Sequence, residues 1–257
     1  MSGSPLRITV IGCSGSYPGP TSSASCYLLE AEHEGRTWRV LLDMGNGALG
    51  SLQKYADAHA IDAVFLSHLH ADHCLDLCGY YVMRKYHPGG ALPKIPVWGP
   101  ADSARRMAKA YDLDEDPGMN EEFDFVPYAN TALEFGPFTV TAREVVHPVT
   151  AYALRVEAGG RTLAYSGDSG VCPGLDDTAR DADLFLCEAS FLEGAPNPPD
   201  LHLTGAEAGR TAARAGAQRL LLTHIPPWHD PQVVLGEAAS EYDGKVELAT
   251  AGTSYDV

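Results

Sequence analysis

Short apolar runs that are rich in β-branched residues recur along the chain, and helix-like stretches lie between them. Each run has the length and composition that predict a buried strand. The predicted strands are Leu6 to Ile11, Trp38 to Leu42, Ala63 to Leu66, Phe138 to Val146, Thr162 to Tyr165, Leu184 to Cys187 and Leu220 to Thr223. Helices are predicted around residues 46–57, 75–86, 101–111, 204–215 and 232–242. Mixed strands and helices predict an α/β fold in which helices cover sheet faces.

Residues 1–257 are predicted to form one domain, because none of the segments between these elements has the composition of a domain boundary. Thr204-Gly205-Ala206-Glu207 is a capping-box pattern that marks the start of the fourth helix. Residues 112–120 and 194–199 are interpreted as surface loops because they are rich in proline, glycine and polar residues. No repeat or linker divides the sequence.

Composition narrows the class of protein. Apolar residues make up 45% of the chain and charged residues 20%, which is ordinary for a globular protein, and we find no apolar span of the length a bilayer needs. The amino terminus has no secretory signal pattern, so we expect a cytoplasmic protein whose six cysteines stay reduced. Thirty-four acidic residues against eighteen basic ones give a net charge of -16, which disfavours long polyanions and leaves room for a small anionic substrate.

Four metal-ligating side chains lie within six positions directly after the predicted strand Ala63 to Leu66: His68, His70, Asp72 and His73. On an extended backbone residues i and i+2 point the same way, so His68 and His70 can present two imidazoles to one point. Asp72 and His73 follow at the turn into the next helix and can face a neighbouring point. Imidazole nitrogen and carboxylate oxygen suit zinc, iron or manganese. The cluster therefore predicts a site for one or two metal ions.

Three more candidate ligands follow other predicted strands. His147 comes directly after the Phe138 to Val146 strand, and His224 directly after Thr223. Asp168 lies between two glycines that permit a tight turn after the Thr162 to Tyr165 strand. Since all three stand at carboxyl ends of strands, we expect them to converge on one edge of the sheets.

The motif His68-Leu69-His70-Ala71-Asp72-His73, with His147, Asp168 and His224, resembles the metallo-β-lactamase superfamily over nearly the whole chain. The resemblance implies an αββα sandwich, two mixed sheets packed between helix layers, with the site at one edge. It also implies two divalent ions, zinc being expected and manganese or iron the alternatives. One ion would be held by His68, His70 and His147, the other by Asp72, His73 and His224, with Asp168 bridging. Asp43 matches a superfamily aspartate that supports the ligands through hydrogen bonds.

Two branches of the superfamily fit poorly. Secreted β-lactamases usually carry a signal peptide, and many have another group where Asp168 stands. Glyoxalase-type thioesterases add a helical domain after the last ligand, yet only 33 residues follow His224.

Two further motifs resemble ribonuclease Z and its relatives: Leu186-Cys187-Glu188-Ala189-Ser190-Phe191 and His202-Leu203-Thr204. The resemblance implies that His202 protonates the leaving oxygen, that Glu188 orients it, and that Asp72 belongs to the catalytic group. General acid catalysis of this kind contributes roughly a hundred- to ten-thousandfold. The reaction would be phosphodiester hydrolysis, with a hydroxide held between the two metals attacking phosphorus.

Ribonuclease Z itself fits less well than a smaller relative. Its tRNA-gripping arm is usually inserted between the positions of His147 and Asp168, and here only 20 residues separate them. The segment after His224 also lacks the ribonuclease pattern. Several segments, among them Arg84-Lys85-Tyr86-His87-Pro88 and Leu221 to Trp228, resemble the actinobacterial atypical cyclic-nucleotide phosphodiesterases. That resemblance implies hydrolysis of 3′,5′-cyclic AMP, with an RNA phosphodiesterase as the alternative and a non-catalytic metal-binding scaffold as the alternative from another class.

The remaining predictions concern substrate contacts and assembly. Trp228 could stack on a nucleobase, and Arg84 or His87 could meet phosphate. Cys74 and Cys78 are one helical turn apart next to the histidine motif, where small buried residues are the usual finding. A homodimer is expected by analogy with the ribonuclease-like relatives, and neither tRNA nor a membrane is an expected partner.

Overall fold

The computed structural model describes residues 6–257, so the expectation about the amino-terminal segment falls partly outside the described residues. The strands are β1 (Arg7–Ser14), β2 (Ser23–Ala24), β3 (Cys26–His33), β4 (Arg36–Leu42), β5 (Ala63–Phe65), β6 (Ile95–Gly99), β7 (Phe123–Pro127), β8 (Leu133–Phe135), β9 (Phe138–Val145), β10 (Ala151–Ala158), β11 (Arg161–Tyr165), β12 (Leu184–Glu188), β13 (Arg219–Thr223), β14 (Lys245–Leu248) and β15 (Ser254–Asp256). The helices are α1 (Ala48–Leu52), α2 (Ala71–Cys74), α3 (Leu77–Lys85), α4 (Ser103–Ala110), α5 (Pro173–Ala179), α6 (Gly205–Ala215) and α7 (Pro231–Ala239). From Leu6 onward no helix is long and apolar enough to span a bilayer.

The strands form two mixed sheets. The first has the order β15-β1-β3-β4-β5-β6-β7, with β2 paired to β1, and the second has the order β14-β13-β12-β11-β10-β9-β8. A shared apolar cluster between the sheets includes Phe65 of the first sheet and Phe138 and Leu186 of the second. The two sheets therefore pack face to face over a common core.

Helices cover the outer face of each sheet, and the apolar runs show why. In β12 the side chains of Leu184 and Leu186 join the core between the sheets, whereas Phe185 joins a separate cluster with α5, α6 and α7. Because alternate residues of a strand point to opposite faces, a strand buried on both sides is apolar throughout. On the other side α1, α3 and α4 pack on the first sheet. The predicted αββα layering is confirmed.

The parallel strands bring their carboxyl ends to one edge of the sandwich. In the first sheet β4 and β5 are parallel neighbours, and in the second β11, β12 and β13 are. Two antiparallel pairings, β9 with β10 and β10 with β11, make β9 run in the same direction as β11. Loops that follow these strands meet at the same edge, which is where ligands bind in sheets of this kind.

All seven predicted strands are present, with ends that differ by a few residues. Thr204 and Glu207 form both hydrogen bonds of the capping box at the start of α6. The sequence analysis did not identify the strands β2, β3, β6, β7, β8, β10, β14 and β15, nor the short helices α2 and α5. Strand β10 alternates buried and partly exposed residues and includes Arg155 and Glu157, so its apolar signal is diluted.

Candidate metal centre

Three histidines converge at the edge of the sandwich beyond β5 and β9. The Nε2 atom of His68 lies 3.0 Å from Nδ1 of His70, and Nε2 of His147 lies 3.1 Å from the same atom. A single ring nitrogen carries either one proton or one lone pair, so His70 Nδ1 cannot make two good hydrogen bonds there. Ligand nitrogens around a tetrahedral zinc ion are about 3.3 Å apart, given zinc–nitrogen distances of about 2.0–2.1 Å. This first histidine group therefore has the spacing of a metal site.

A second group lies beside the first. The Nε2 atom of His224 is 3.2 Å from Nε2 of His73 and 3.1 Å from Oδ2 of Asp72. The Nε2 atom of His73 is 3.6 Å from that same carboxylate oxygen. These three residues, with Asp168, are all buried, and each offers one donor atom to a common point.

Asp168 lies between the two groups. Its Oδ2 atom is 3.7 Å from Nε2 of His68 and 3.5 Å from Nε2 of His224, while its Oδ1 atom is 3.2 Å from Nε2 of His73. Burial alone would raise the pKa of this carboxyl, but the neighbouring His224 and His73 hold it well below its usual range. Among residues 6–257, Oδ1 is nevertheless left without a hydrogen-bond partner. A buried carboxylate with an unpaired oxygen, facing ring nitrogens of both groups, fits a ligand shared by two cations.

Asp43 fixes the orientation of these ligands from behind. The residue follows β4 and is fully buried in the left-handed conformation, with φ 58°. Its Oδ1 accepts a hydrogen bond of 2.6 Å from the Ser67 amide. Its Oδ2 lies 2.7 Å from Ser67 Oγ, His73 Nδ1 and the Tyr165 hydroxyl. When His73 donates its Nδ1 proton to this carboxylate, its Nε2 lone pair is free to bind a metal.

Other ligands are oriented in the same way. The Nδ1 atom of His147 lies 2.9 Å from the carbonyl oxygen of Leu201, to which it can donate. The Nδ1 atom of His224 lies 2.8 Å from Ser190 Oγ, and that hydroxyl lies 3.0 Å from Glu188 Oε2. Each contact places a proton on Nδ1 and leaves Nε2 as the coordinating atom.

The turns that present Asp168 and His224 require special backbone conformations. Gly167 has φ 56°, and a Cβ at this position would lie 2.8 Å from the Tyr152 carbonyl oxygen and 2.9 Å from Ser67 Cβ. His224 has φ 55° although it is not a glycine. A side chain in this region costs roughly 1–2 kcal/mol, and such strain is concentrated at functional sites.

Glu188 and His202 form a pair beside both metal groups. The Nδ1 atom of His202 lies 2.9 Å from Oε1 of Glu188, and that carboxylate also accepts hydrogen bonds from the Ser169 and Ser190 amides. The His202 ring centre is 5.5 Å from those of both His147 and His224. Burial opposes a charge on His202, but the attraction of Glu188 and the hydrogen bond to it outweigh burial and raise the pKa of His202 to about 9. The environment thus favours the protonated form of this imidazole.

The two residues predicted to contact substrate, Trp228 and Arg84, lie in different surroundings. Trp228, four residues after His224, is 58% exposed, and its ring lies 5.4 Å from that of Tyr17. The structure therefore leaves its ring largely exposed to solvent.

The prediction that Arg84 contacts substrate is wrong. Its side chain is 2% exposed, donates to the Tyr80 hydroxyl at 3.2 Å and to the Pro93 carbonyl, and so anchors the segment after α3. A guanidinium enclosed in this way cannot reach a phosphate in the site. His87 instead packs edge-on against His59, with ring centres 5.0 Å apart.

Four supporting contacts were not identified from the sequence: the Ser67, Tyr165 and Ser190 hydroxyls and the Leu201 carbonyl. Ser190 lies inside the motif from which Glu188 was predicted, so this residue could have been identified from the sequence. The Leu201 carbonyl carries no side-chain signature and could be found only from the fold. Cys74 is buried and Cys78 partly buried, both packed in the core beside α4.

Comparison with known proteins adds the family context. Residues 38–225 match the family model described as a beta-lactamase superfamily domain. An uncharacterized protein of Mycobacterium tuberculosis is 45% identical over 98% of this chain and 92% of its own length. The probable metallo-hydrolase YhfI of Bacillus subtilis is 32% identical over 96% of this chain and 98% of its own. Its crystal structure, described as a metallo-beta-lactamase fold protein, superimposes with a TM-score of 0.86 at 29% identity, covering 99% of this chain and all of that one. A ribonuclease Z of Myxococcus xanthus is 27% identical over 98% of each sequence.

Asp43→Asn is expected to weaken metal binding by about 10–100-fold, because a supporting contact of a ligating histidine is lost while the residue's volume is kept. Asparagine tolerates the left-handed conformation, so the backbone should not be strained. The affinity is measured by competition with a chromophoric zinc chelator. Tyr165→Phe, which removes only one of the hydrogen bonds to Asp43, is the matched control and should lose less. Unchanged affinity in Asp43→Asn would contradict the supporting role.

Proposed function

Because the chain belongs to the metallo-β-lactamase superfamily and is a metal-dependent hydrolase, we propose that it is a dinuclear phosphodiesterase that hydrolyses a small cyclic nucleotide. The proposed substrate is 3′,5′-cyclic AMP, and the product is the nucleoside monophosphate. The observation that carries the proposal is the pair of Glu188 and His202, 2.9 Å apart, beside two groups of metal-ligating side chains. A hydrolase acting on a poor alkoxide leaving group needs such a proton donor.

The donor set fits two divalent ions, and we propose zinc because imidazole nitrogens predominate. His68, His70 and His147 would hold one ion, Asp72, His73 and His224 the other, and Asp168 would contact both. When bound, the ions would acidify a water molecule and neutralise charge on the phosphate oxygens. The protein's own contribution is to orient these ligands and to supply an acid.

His202 supplies that acid. Its Nδ1 proton is directed at Glu188, so the imidazolium can donate the proton on Nε2 to the departing ribose oxygen. Glu188 stabilises the charged form and also connects, through Ser190, to the His224 ring. The acid and one proposed metal ligand are therefore held by the same buried carboxylate.

A small substrate is favoured by the surroundings of the site. Residues 148–167 form only β10, β11 and their connections, a compact hairpin in the second sheet. The net charge of -16 disfavours a long nucleic acid. We propose that Trp228, exposed beside Tyr17, stacks on the base. The alternative, an RNA phosphodiesterase, is favoured by the similarity to a ribonuclease Z over 98% of both chains.

The proposed substrate is tested by comparing kcat/KM of the zinc-loaded protein for cyclic AMP, cyclic GMP, a 2′,3′-cyclic nucleotide and a precursor tRNA. Cyclic AMP is expected to give the highest value. Preferential cleavage of precursor tRNA would favour the alternative, and hydrolysis of none of them by a protein that binds metal would favour a scaffold.

His202→Ala is expected to keep its metal and to lose roughly a hundred- to ten-thousandfold in turnover of cyclic AMP, since the leaving oxygen is no longer protonated. A nitrophenyl phosphodiester, whose leaving group needs no proton, should be affected far less. Turnover of both substrates is measured beside metal content, with His59→Ala as a control for removal of a surface histidine. Equal losses on the two substrates would argue against the acid role.

A further inference from the structure

A cavity that could bind part of a substrate lies next to the first histidine group. A cavity of about 540 Å³, called here the α4 cavity, is lined on one side by Leu69, His70 and Ala71 of the histidine motif. Its opposite wall carries three cations of α4: Arg105, Arg106 and Lys109. The volume is in the range of small-molecule sites, about 300–1,000 Å³. Since His70 belongs to both, the α4 cavity adjoins the proposed metal centre.

The cations face this cavity because the other side of α4 is fixed in the core. Ser103, Met107 and Ala108 are buried, and Met107 packs in the cluster under the first sheet. Residues three and four positions apart lie on the same face of a helix, so Lys109 comes next to Arg105 and Arg106. The sequence Ser103-Ala104-Arg105-Arg106-Met107-Ala108-Lys109 therefore places an apolar face inward and a cationic face toward His70.

Two of the three cations have no opposing charge. Arg105 pairs at 3.0 Å with Asp102, which also lines the α4 cavity. In the described part of the chain, neither Arg106 nor Lys109 takes part in an ion pair, although the protein has nearly twice as many acidic as basic residues. Arg106 is also partly buried. Asp102 is outnumbered by the three cations among the lining residues, so the α4 cavity still concentrates positive potential and attracts anions.

The other side chains that line the α4 cavity suit the base and sugar of a nucleotide. Leu69 and Val149 are apolar, and Tyr152 contributes an aromatic ring, 5.0 Å from that of Tyr128. The cavity thus combines apolar and aromatic surface for a nucleoside with a guanidinium fork that matches phosphate oxygens. A cyclic mononucleotide has a single phosphate, which the metal ions would engage, so it would leave these cations unused.

We propose that the α4 cavity is a subsite for a second phosphate, one nucleotide away from the phosphodiester that is hydrolysed, and that Arg106 is its main contact. The inference rests on the proposed phosphodiesterase activity and extends its substrate class to short linear nucleotides that carry a terminal phosphate. Lys109 adds charge, and Arg105 contributes less because Asp102 already pairs with it.

The test uses the full-length, zinc-loaded protein and three adenosine dinucleotides: unphosphorylated, 5′-phosphorylated and 3′-phosphorylated. One of the phosphorylated forms is expected to exceed the unphosphorylated one in kcat/KM by about 10–100-fold, the range of a hydrogen bond to a charged group. Arg106→Gln should abolish this preference and Lys109→Gln should reduce it, measured as the ratio of kcat/KM for the phosphorylated and unphosphorylated dinucleotides. Lys54→Gln removes one exposed lysine elsewhere and should change nothing.

Equal turnover of the three dinucleotides by the unmodified protein would overturn the subsite, as would an equal loss in Lys54→Gln, which would indicate general charge attraction. If inorganic phosphate raises turnover of the unphosphorylated dinucleotide through Arg106, the anion is a separate effector and the subsite is again overturned. Hydrolysis of cyclic AMP without a preference among dinucleotides would leave the proposed function standing. Failure to hydrolyse any phosphodiester would overturn both.

Discussion

The hydrogen bonds of the buried Asp43 carboxylate are the interaction on which the site depends. Asp43 follows β4 in the first sheet, whereas Tyr165, which donates to it at 2.7 Å, ends β11 in the second. The same carboxylate holds Ser67 and His73 at the start of the histidine motif. A buried carboxylate is costly unless such donors satisfy it. One residue thereby joins the two sheets and fixes the direction in which a metal ligand points.

The metal centre follows from the topology around that carboxylate. Parallel strands bring the loops after β5, β9, β11 and β13 to one edge, and each loop contributes at least one ligand. The result is a compact group of imidazoles around Asp168, whose Oδ1 is buried without a hydrogen bond in the described structure. Glu188 contacts His202 directly and His224 through Ser190, so the orientations of the proposed acid and of a proposed ligand are coupled. The α4 cavity shares His70 with the first histidine group and so adjoins the centre.

Sequence patterns were sufficient where the signal is local. Strands buried on both faces are continuous apolar runs, and ligands at their ends were predicted from extended geometry and from the family resemblance. Strands such as β10 were missed because the charged residues on one face interrupt the continuous apolar run by which the other strands were identified. Arg84 was misread because its position near the motif is visible in sequence, whereas the Pro93 carbonyl that captures it is brought there only by the fold. The cations Arg106 and Lys109 were not singled out from the sequence, because cations on a helix usually form only a solvent-exposed face.

The central claim is that both groups of ligands act as one dinuclear phosphodiesterase centre. The most direct test titrates chelator-treated protein with zinc while hydrolysis of cyclic AMP and bound metal per chain are measured together, with Asp168→Ala in parallel. Activity is expected to rise until two ions are bound per chain, and Asp168→Ala is expected to lose both metal and activity. Full activity at one ion per chain, or an Asp168→Ala protein that remains fully active, would contradict the account.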